Sequence, residues 1–419
     1  MPMTPEIRTL TDDDLPAWFR AVHVGFLNGK ELTDEEIAVR GGGVAVDRTQ
    51  GAFDGGRCVG TFRTMPQQLT VPGGAALPSC AVTNVTVSPT HRRRGLLTRM
   101  MGEAMAAAKE RGDAVASLIA AEYPIYGHHG FGPAAWTTEF TVDVPRTGLN
   151  RRYAGPPQGE GRVDLVEPDA FRRVAPEFHE RFRAQPHRQG VIDRNDRWWR
   201  MNTGALRWPD DEWEPPFCAV FRDAEGVVQG TVTYTARHDT WHNKLPHCTL
   251  SVGKLEAATP QAERALWHFL LSVDWVTTLR SGHRAPDDVL PLLLPDPRAA
   301  RIDAHADFLW LRPLDVPRML GARTYAVPGT LVLDLHDETG LAGGRFRLET
   351  GPEGAACTRT EDGADLSMDV SALGTLYLGD ETATRLAALG RVAEHTPGAA
   401  AKADALFRTA RRPWCPDIF

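Results

Sequence analysis

The pattern of apolar and polar positions divides the chain into three blocks of strands and helices. In the first, "EIRTL" reads as a strand, and "TDDDLPAWFRAVHVGF" opens with an N-cap and an acidic first turn and continues as a helix. "GAFDGGRCVGTFRTMPQQLTVPGGAALPSCAVTNVTV" reads as a meander of strands joined at Gly-Gly and Pro-Gly-Gly turns. "RGLLTRMMGEAMAAAKERG" is rich in strong helix formers and stops at Gly112. A short apolar strand "AVASLIA", a short helix "YPIYGHHGF" ending at Gly130 and a closing strand "AWTTEFTVDV" complete an α+β unit over residues 1–150. A linker, "PRTGLNRRYAGPPQGEGR", follows.

The second block, 151–297, repeats the order of meander and helix. A helix at "DAFRRVAPEFHERFRA" and a Trp-rich "RNDRWWRMNTG" precede strands at "FCAVFRD", "GVVQGTVTYTA" and "CTLSVGKLEAAT". A helix over "QAERALWHFLLSVDWVTTLR" closes it. This reads as a related fold without a cofactor site of its own. The third block, 298–419, predicts strands from "RTYAVPGTLVLDLHD" through "GRFRLETGPEGAACTRTEDGADLSMDVSALGTLYLG". Helices at "DETATRLAALGRV" and "PGAAAKADALFRTA" follow, and then the terminus "RRPWCPDIF".

Composition narrows what these blocks do. A length of 419 residues suggests two to four domains. A net charge of −7 argues against nucleic acid as a partner, so any arginine cluster needs a local explanation. The six cysteines contain no CxxC pair and read as reduced thiols of a cytoplasmic protein. No signal peptide is visible, and the longest apolar run, "VLPLLLP", is too short for a membrane span.

The local explanation lies in "VTVSPTHRRRGLLTRMM". A strand leads through a Pro-containing turn into Arg92, Arg93, Arg94 and Gly95, and then a helix opens. The first amides of a helix are unpaired and electropositive, Gly95 lets a ligand approach the backbone, and arginines add charge-assisted bonds. A solvated basic helix start is the competing reading. Neither GxGxxG nor GxxxxGK[ST] is present, so Rossmann and P-loop readings do not apply.

This stretch resembles the acetyl-CoA-binding motif of the GNAT acetyltransferase superfamily, in which an Arg/Gln-x-x-Gly-x-Gly/Ala loop opens the central helix. Here it reads Arg92-Arg93-Arg94-Gly95-Leu96-Leu97, with Leu97 in the usual small position. "AAEYPIYGHHGFGPA", "DRWW", "DVSALGTLYLG" and "RPWCPDIF" are similar to segments of the Eis (enhanced intracellular survival) family, in family order along the whole chain. The resemblance implies tandem GNAT-like domains with mixed, mostly antiparallel sheets, then a sterol-carrier-protein-like α+β domain. It also implies acetyl-CoA as donor, an amine acceptor with aminoglycosides the characterised class, and a homohexamer; a lysine stays open as acceptor, and with no HExxH and no matching cysteine set no metal is expected. By motif, Val85, Thr86 and Val87 would pair with the pantetheine arm. Arg93, Arg94, Gly95, Leu96, Leu97 and Thr98 would hold the pyrophosphate, and Ala121 and Glu122 would close the site. The family often has Ser where Ala121 stands.

Acetyl transfer needs a base for the amine and an acid for the departing thiolate. Tyr126, just past a strand end, is the acid candidate, because a phenol with a pKa of about 10 keeps its proton at neutral pH. A core tyrosine is the competing reading, and Tyr123 is a decoy. His128 and His129 do not face one another on a helix, and His23 is one histidine among 14. The resemblance points instead to the α-carboxylate of Phe419 as base, its basicity raised by apolar surroundings. Trp18, Phe26 and Asn28 are candidates for the acceptor pocket, with core packing as the alternative for the two aromatics. Asp417 is the acidic side chain near the terminus. Ile418 and Asn28 stand where aminoglycoside-active members carry acids. Two other classes remain open: a lipid-binding sterol-carrier-like module, which needs an apolar cavity, and a non-catalytic assembly protein, which would not be stabilised by acetyl-CoA.

Overall fold

The computed structural model describes residues 5–147, 161–209, 213–352 and 354–419, so most of the expected linker lies outside the described residues. The first unit runs β1 (Glu6–Thr9), α1 (Leu15–Gly25), α2 (Asp34–Gly41), β2 (Thr49–Asp54), β3 (Arg57–Thr70), β4 (Ala76–Val87), α3 (Leu96–Glu110), β5 (Val115–Ile119), α4 (Tyr123–Tyr126) and β6 (Gly132–Asp143). The second runs β7 (Arg162–Val166), α5 (Pro168–Arg183), α6 (Asp196–Asn202), β8 (Phe217–Arg222), β9 (Val228–His242), β10 (Leu245–Ala257), α7 (Pro260–Leu271), β11 (Val276–Arg280), α8 (Leu290–Leu293) and β12 (Ala300–Pro313).

These strands form one 12-stranded sheet in the order β1-β2-β3-β4-β5-β12-β6-β11-β10-β9-β8-β7. The order is a near-palindrome in which the two units exchange their last strands. β12 pairs with β5 of the first unit, β6 pairs with β11 of the second, and the two exchanged strands pair with each other. α3 covers the first half of the sheet with Leu96, Met100, Met101, Ala104, Met105 and Ala108, whose three- to five-residue spacing makes one apolar stripe. Met100 is fully buried, and its truncation to Ala would cost about 2–5 kcal/mol. α7 covers the second half in the same way, with Leu266, Trp267 and Leu270 buried.

The third unit has a five-stranded sheet, β15-β14-β13-β16-β17. Its elements are α9 (Val316–Ala322), β13 (Gly329–His336), β14 (Gly344–Gly351), β15 (Gly354–Arg359), β16 (Leu366–Asp369), α10 (Val370–Leu376), α11 (Ala383–Ala388), β17 (Val392–Glu394) and α12 (Ala399–Phe407). α10 packs on β6 and β12, and one apolar core joins this unit to the first.

Three expectations are corrected. The boundary at 298 gives β12 to the third unit, but β12 lies inside the large sheet. Its apolar end, Phe308 to Leu311, is buried there with strand partners on both edges. The helix expected over 261–280 ends at Leu271; Trp275 turns the chain with φ 72°, and the β-branched "VTTLR" becomes β11. "DVSALGTLYLG", expected as strand, is mostly α10, started by the Asp369 carboxylate accepting from the Ser371 amide at 2.8 Å. Among the described residues no helix is long and apolar enough to cross a membrane.

Candidate functional site

β4 and β5 run parallel but pair only over Ser79–Ala81 and Val115–Ser117. Beyond that point β5 continues against β12, while β4 runs on to Val87. Among the described residues, the β5-facing edge of β4 from Val82 onward therefore has no strand beside it. A bulge sits in this stretch: Thr61 lies opposite Thr86 and Arg63 opposite Thr83, with Asn84 at φ 51°. An open strand edge offers backbone donors and acceptors to a ligand that carries amides of its own.

The turn after β4 supplies a second kind of donor. Gly95 caps α3 with φ 72° and has no atom within 4 Å of where a Cβ would stand. The first helical bond is Arg99 N–H to the Gly95 carbonyl at 3.1 Å, so the amides of Leu96, Leu97 and Thr98 have no partner within the helix. No side chain caps them. His91 ties this turn to β2: Nε2 lies 3.0 Å from Asp54 Oδ2, and Nδ1 lies 2.8 Å from Thr90 Oγ1.

Edge and turn bound one cavity of about 360 Å³. Val85, Thr86 and Val87 form one wall, Arg93, Gly95, Leu96, Leu97 and Thr98 a second, and Ala121, Glu122, Ile125 and Tyr126 a third. Gly25 and Phe26, at the end of α1, close it. Tyr126 is buried, with its ring edge-on to Phe131 at 6.3 Å. Burial, and then the nearby Glu122 carboxylate, push its phenol above its ordinary value, so it stays a neutral O–H donor through the physiological range. Such a cavity fits an elongated ligand with an anionic middle and counts a proton donor, Tyr126, among its lining residues.

Ten of the eleven positions expected to hold the donor line this cavity. Arg94 does not; its guanidinium donates to the Thr90 carbonyl at 3.3 Å instead. Of the acceptor candidates, only Phe26 is in the wall. Trp18 is fully buried in the core under α1, with its indole N–H donating to the Gln50 carbonyl at 3.0 Å, so core packing accounts for it. Asn28 is exposed and accepts from the Lys30 amide at 3.1 Å. Asp417 is not a free acceptor-binding carboxylate, because it is buried against Arg194 at 2.9 Å. Phe419 packs, partly buried, against the core shared by the first and third units, as does Ile119 at the end of β5. His23 is buried, with Nδ1 unpartnered, and burial followed by the Arg40 charge lowers its basicity. Gly25, His91, Arg92 and Ile125 are wall residues absent from the expected contacts, although Arg92 belongs to the arginine run read as an anion turn. The His immediately before the arginines and a Gly closing an amphipathic helix were the available signals.

The equivalent gap in the second half is filled. α7 begins with Pro260, which has no amide, and the Thr259 hydroxyl accepts from the Ala262 amide at 3.2 Å. Past β11, Arg284 donates to the Leu255 carbonyl of β10 at 2.8 Å.

Comparison with known proteins follows the three units. Residues 6–134 match an acetyltransferase (GNAT) domain family, residues 190–313 match another, and residues 316–416 match a sterol carrier protein domain. The chain is 56% identical to an uncharacterized N-acetyltransferase of Streptomyces avermitilis, over 99% of this chain and 98% of that one. It is 35% identical to the N-acetyltransferase Eis of Mycobacterium tuberculosis, over 97% of each. Among solved structures, Eis1 from Mycobacterium abscessus superimposes with a TM-score of 0.83 at 32% identity, covering 99% of this chain and 100% of that one. A GCN5-related N-acetyltransferase from Anabaena variabilis shares the fold at 19% identity, with a TM-score of 0.83 over 99% of this chain and 100% of that one.

Proposed function

The chain belongs to the Eis family of GNAT N-acetyltransferases, and from that premise we propose that it transfers an acetyl group from acetyl-CoA to the amine of a small molecule. The observation that carries this reading is the single cavity in which an open strand edge, three unpaired helix amides and the Tyr126 hydroxyl meet. Acetyl-CoA would supply the acyl group as a thioester. The free amides of Leu96, Leu97 and Thr98, with Arg93, would seat its pyrophosphate, and the β4 edge at Val85–Val87 would align its pantetheine arm.

In the transfer, an N–C bond forms to the acyl carbon and the C–S bond breaks. The Phe419 carboxylate takes the proton that the amine must lose. Backbone donors near Val85 stabilise the developing oxyanion, and Tyr126 protonates the departing sulfur. The third unit favours this reading over lipid carriage. Leu331, Leu333, Phe346, Leu348 and Leu366 of its sheet pack into the core it shares with the first unit, on which the chain end also lies, and the cleft of about 590 Å³ that it lines with the first unit carries His336, Asp369 and Arg391 besides apolar groups. A homohexamer is the assembly we propose, and exposed Trp241, Leu245 and Trp275 are apolar surface suited to burial between copies. Light scattering measures that mass directly.

Thiol release from acetyl-CoA, measured against aminoglycosides, arylamines and lysine peptides, tests the function. We expect turnover with a small amine and stabilisation of the protein by acetyl-CoA alone. Neither stabilisation by acetyl-CoA nor turnover on any amine would point to a non-catalytic protein. Lysine-peptide turnover alone would move the acceptor class to proteins.

A further inference from the structure

We propose that Arg194, Glu256 and Asp417 form a buried clamp through which the second half of the sheet, the one whose gap is filled, sets the position of the terminal carboxylate. The inference rests on the reading of that carboxylate as the base.

The final segment has no regular secondary structure, yet Trp414, Cys415 and Asp417 are buried. Its anchors come mainly from the second unit. The Trp414 amide donates to the Gln189 carbonyl at 3.1 Å, and the Trp414 indole donates to the His283 carbonyl at 3.2 Å and packs edge-on to Phe182. Gly190, at φ 97°, has room for no Cβ, which would stand 2.8 Å from the Trp414 carbonyl oxygen. Arg411 pairs with Asp287 at 2.9 Å.

Asp417 is the last fully buried side chain before the end, since Ile418 is 62% exposed and Phe419 is partly buried. One Asp417 oxygen accepts from Arg194 Nε at 2.9 Å, and the other lies 3.3 Å from Lys254 Nζ. The same Arg194 guanidinium meets Glu256 through two nitrogens, at 2.5 and 3.1 Å, and lies 4.2 Å from the centre of the Trp198 ring. Glu256 is held in turn by His179 Nδ1 at 3.1 Å, whose Nε2 donates to the Ile192 carbonyl at 2.8 Å. Burial works to raise the Glu256 pKa, but the Arg194 and His179 charges and hydrogen bonds outweigh it and keep the group ionised.

A buried ion cluster is a weak way to gain stability, since apolar groups of the same volume often do better. It is directional, however, and here its reference point is the sheet that carries the donor cavity. The segment leading to Arg194 is hydrogen-bonded along β3: Gly190 N–H to the Thr70 carbonyl, Thr70 N–H to the Val191 carbonyl, and Gln68 N–H to Asp193 Oδ1. The neighbouring Gln67 accepts from the Ser117 hydroxyl at 2.8 Å, at the last pair before β4 and β5 part. From that fixed point the order is Arg194, Asp417, and then two residues to the terminus. Two residues span at most about 7 Å, so a displaced Asp417 displaces the carboxylate.

The test is a double-mutant cycle in the full-length enzyme between Asp417→Asn and a two-residue extension after Phe419, which converts the terminal carboxylate into a peptide group. Asp417→Asn alone should lower kcat about 100-fold, the scale of a misplacement of about 1 Å, with the KM for acetyl-CoA nearly unchanged. In the extended chain the same substitution should lower kcat no further. Equal losses in both backgrounds, or a loss confined to KM, would overturn the clamp. Full kcat in the extended chain would overturn the carboxylate reading first, and the clamp with it. Should Asp417→Asn fail to fold, Lys254→Met, at a partly exposed partner of Asp417, goes through the same cycle with a smaller loss expected.

Discussion

The two halves of the large sheet follow one strand plan and differ in what occupies the gap where two parallel strands separate. In the first half the β4–β5 gap is open, and α3 starts on a Gly with no side-chain cap. In the second, α7 caps itself with Thr259, Arg284 reaches the β10 carbonyl, and Glu256 replaces the small Thr86 on the stretch of strand beside the gap. A GNAT-like fold therefore does not make a donor site. What makes one is a set of backbone groups left unsatisfied, and in the second half the side chains of Thr259 and Arg284 meet such groups from inside the protein.

The comparison would break most visibly at Tyr126, which stands in the wall of the open gap. Tyr126→Phe should lower kcat by roughly 10²–10⁴-fold while acetyl-CoA affinity, measured by titration calorimetry, stays near the parent value. Because burial raises the phenol pKa above 10.0, loss of the acid should appear in the kcat profile only above that pH. Matched losses of kcat and affinity would reduce Tyr126 to a wall of the cavity. Gly95→Thr brings the cap of α7 to α3, at a φ that strains a branched side chain by about 1–3 kcal/mol. Acetyl-CoA affinity should fall about 10- to 100-fold, with kcat at saturation less affected; unchanged affinity would mean that the open helix start is not the anion seat. The smallest effect belongs to Thr259→Ala, which should destabilise the protein by about 1 kcal/mol in denaturant unfolding and leave turnover unchanged. A change in turnover there would show that the second half contributes chemistry of its own.

The first half was largely legible in the sequence because its signals are local. A strand, a Pro-containing turn, an Arg-Gly step and a helix of Ala, Leu and Met sit within a few residues of one another, and Asn84 tolerates the positive φ of a bulge. The strand exchange was not legible. β12 looks like an ordinary strand at the head of the third block, and only tertiary pairing with β5 and β6 places it in the large sheet. The misread helix over 276–280 and the misread strand at α10 share one cause: short apolar runs carry no period of their own, and Trp275 and Asp369 decide them. Trp18 is the instructive site error. An aromatic on an amphipathic helix suited a ligand as well as a core, and its indole is satisfied inside the protein by Gln50, just as Asp417, the acid near the chain end, is held by Arg194.

The exchanged strands have a consequence for how the chain is made. β5 finds its neighbour in β12, with Ile119 opposite Leu309, so most of the polypeptide must leave the ribosome before the first unit's sheet can close. A chain released before β12 is made therefore carries an unpaired β5 edge, a template for pairing with other chains rather than with its own second unit.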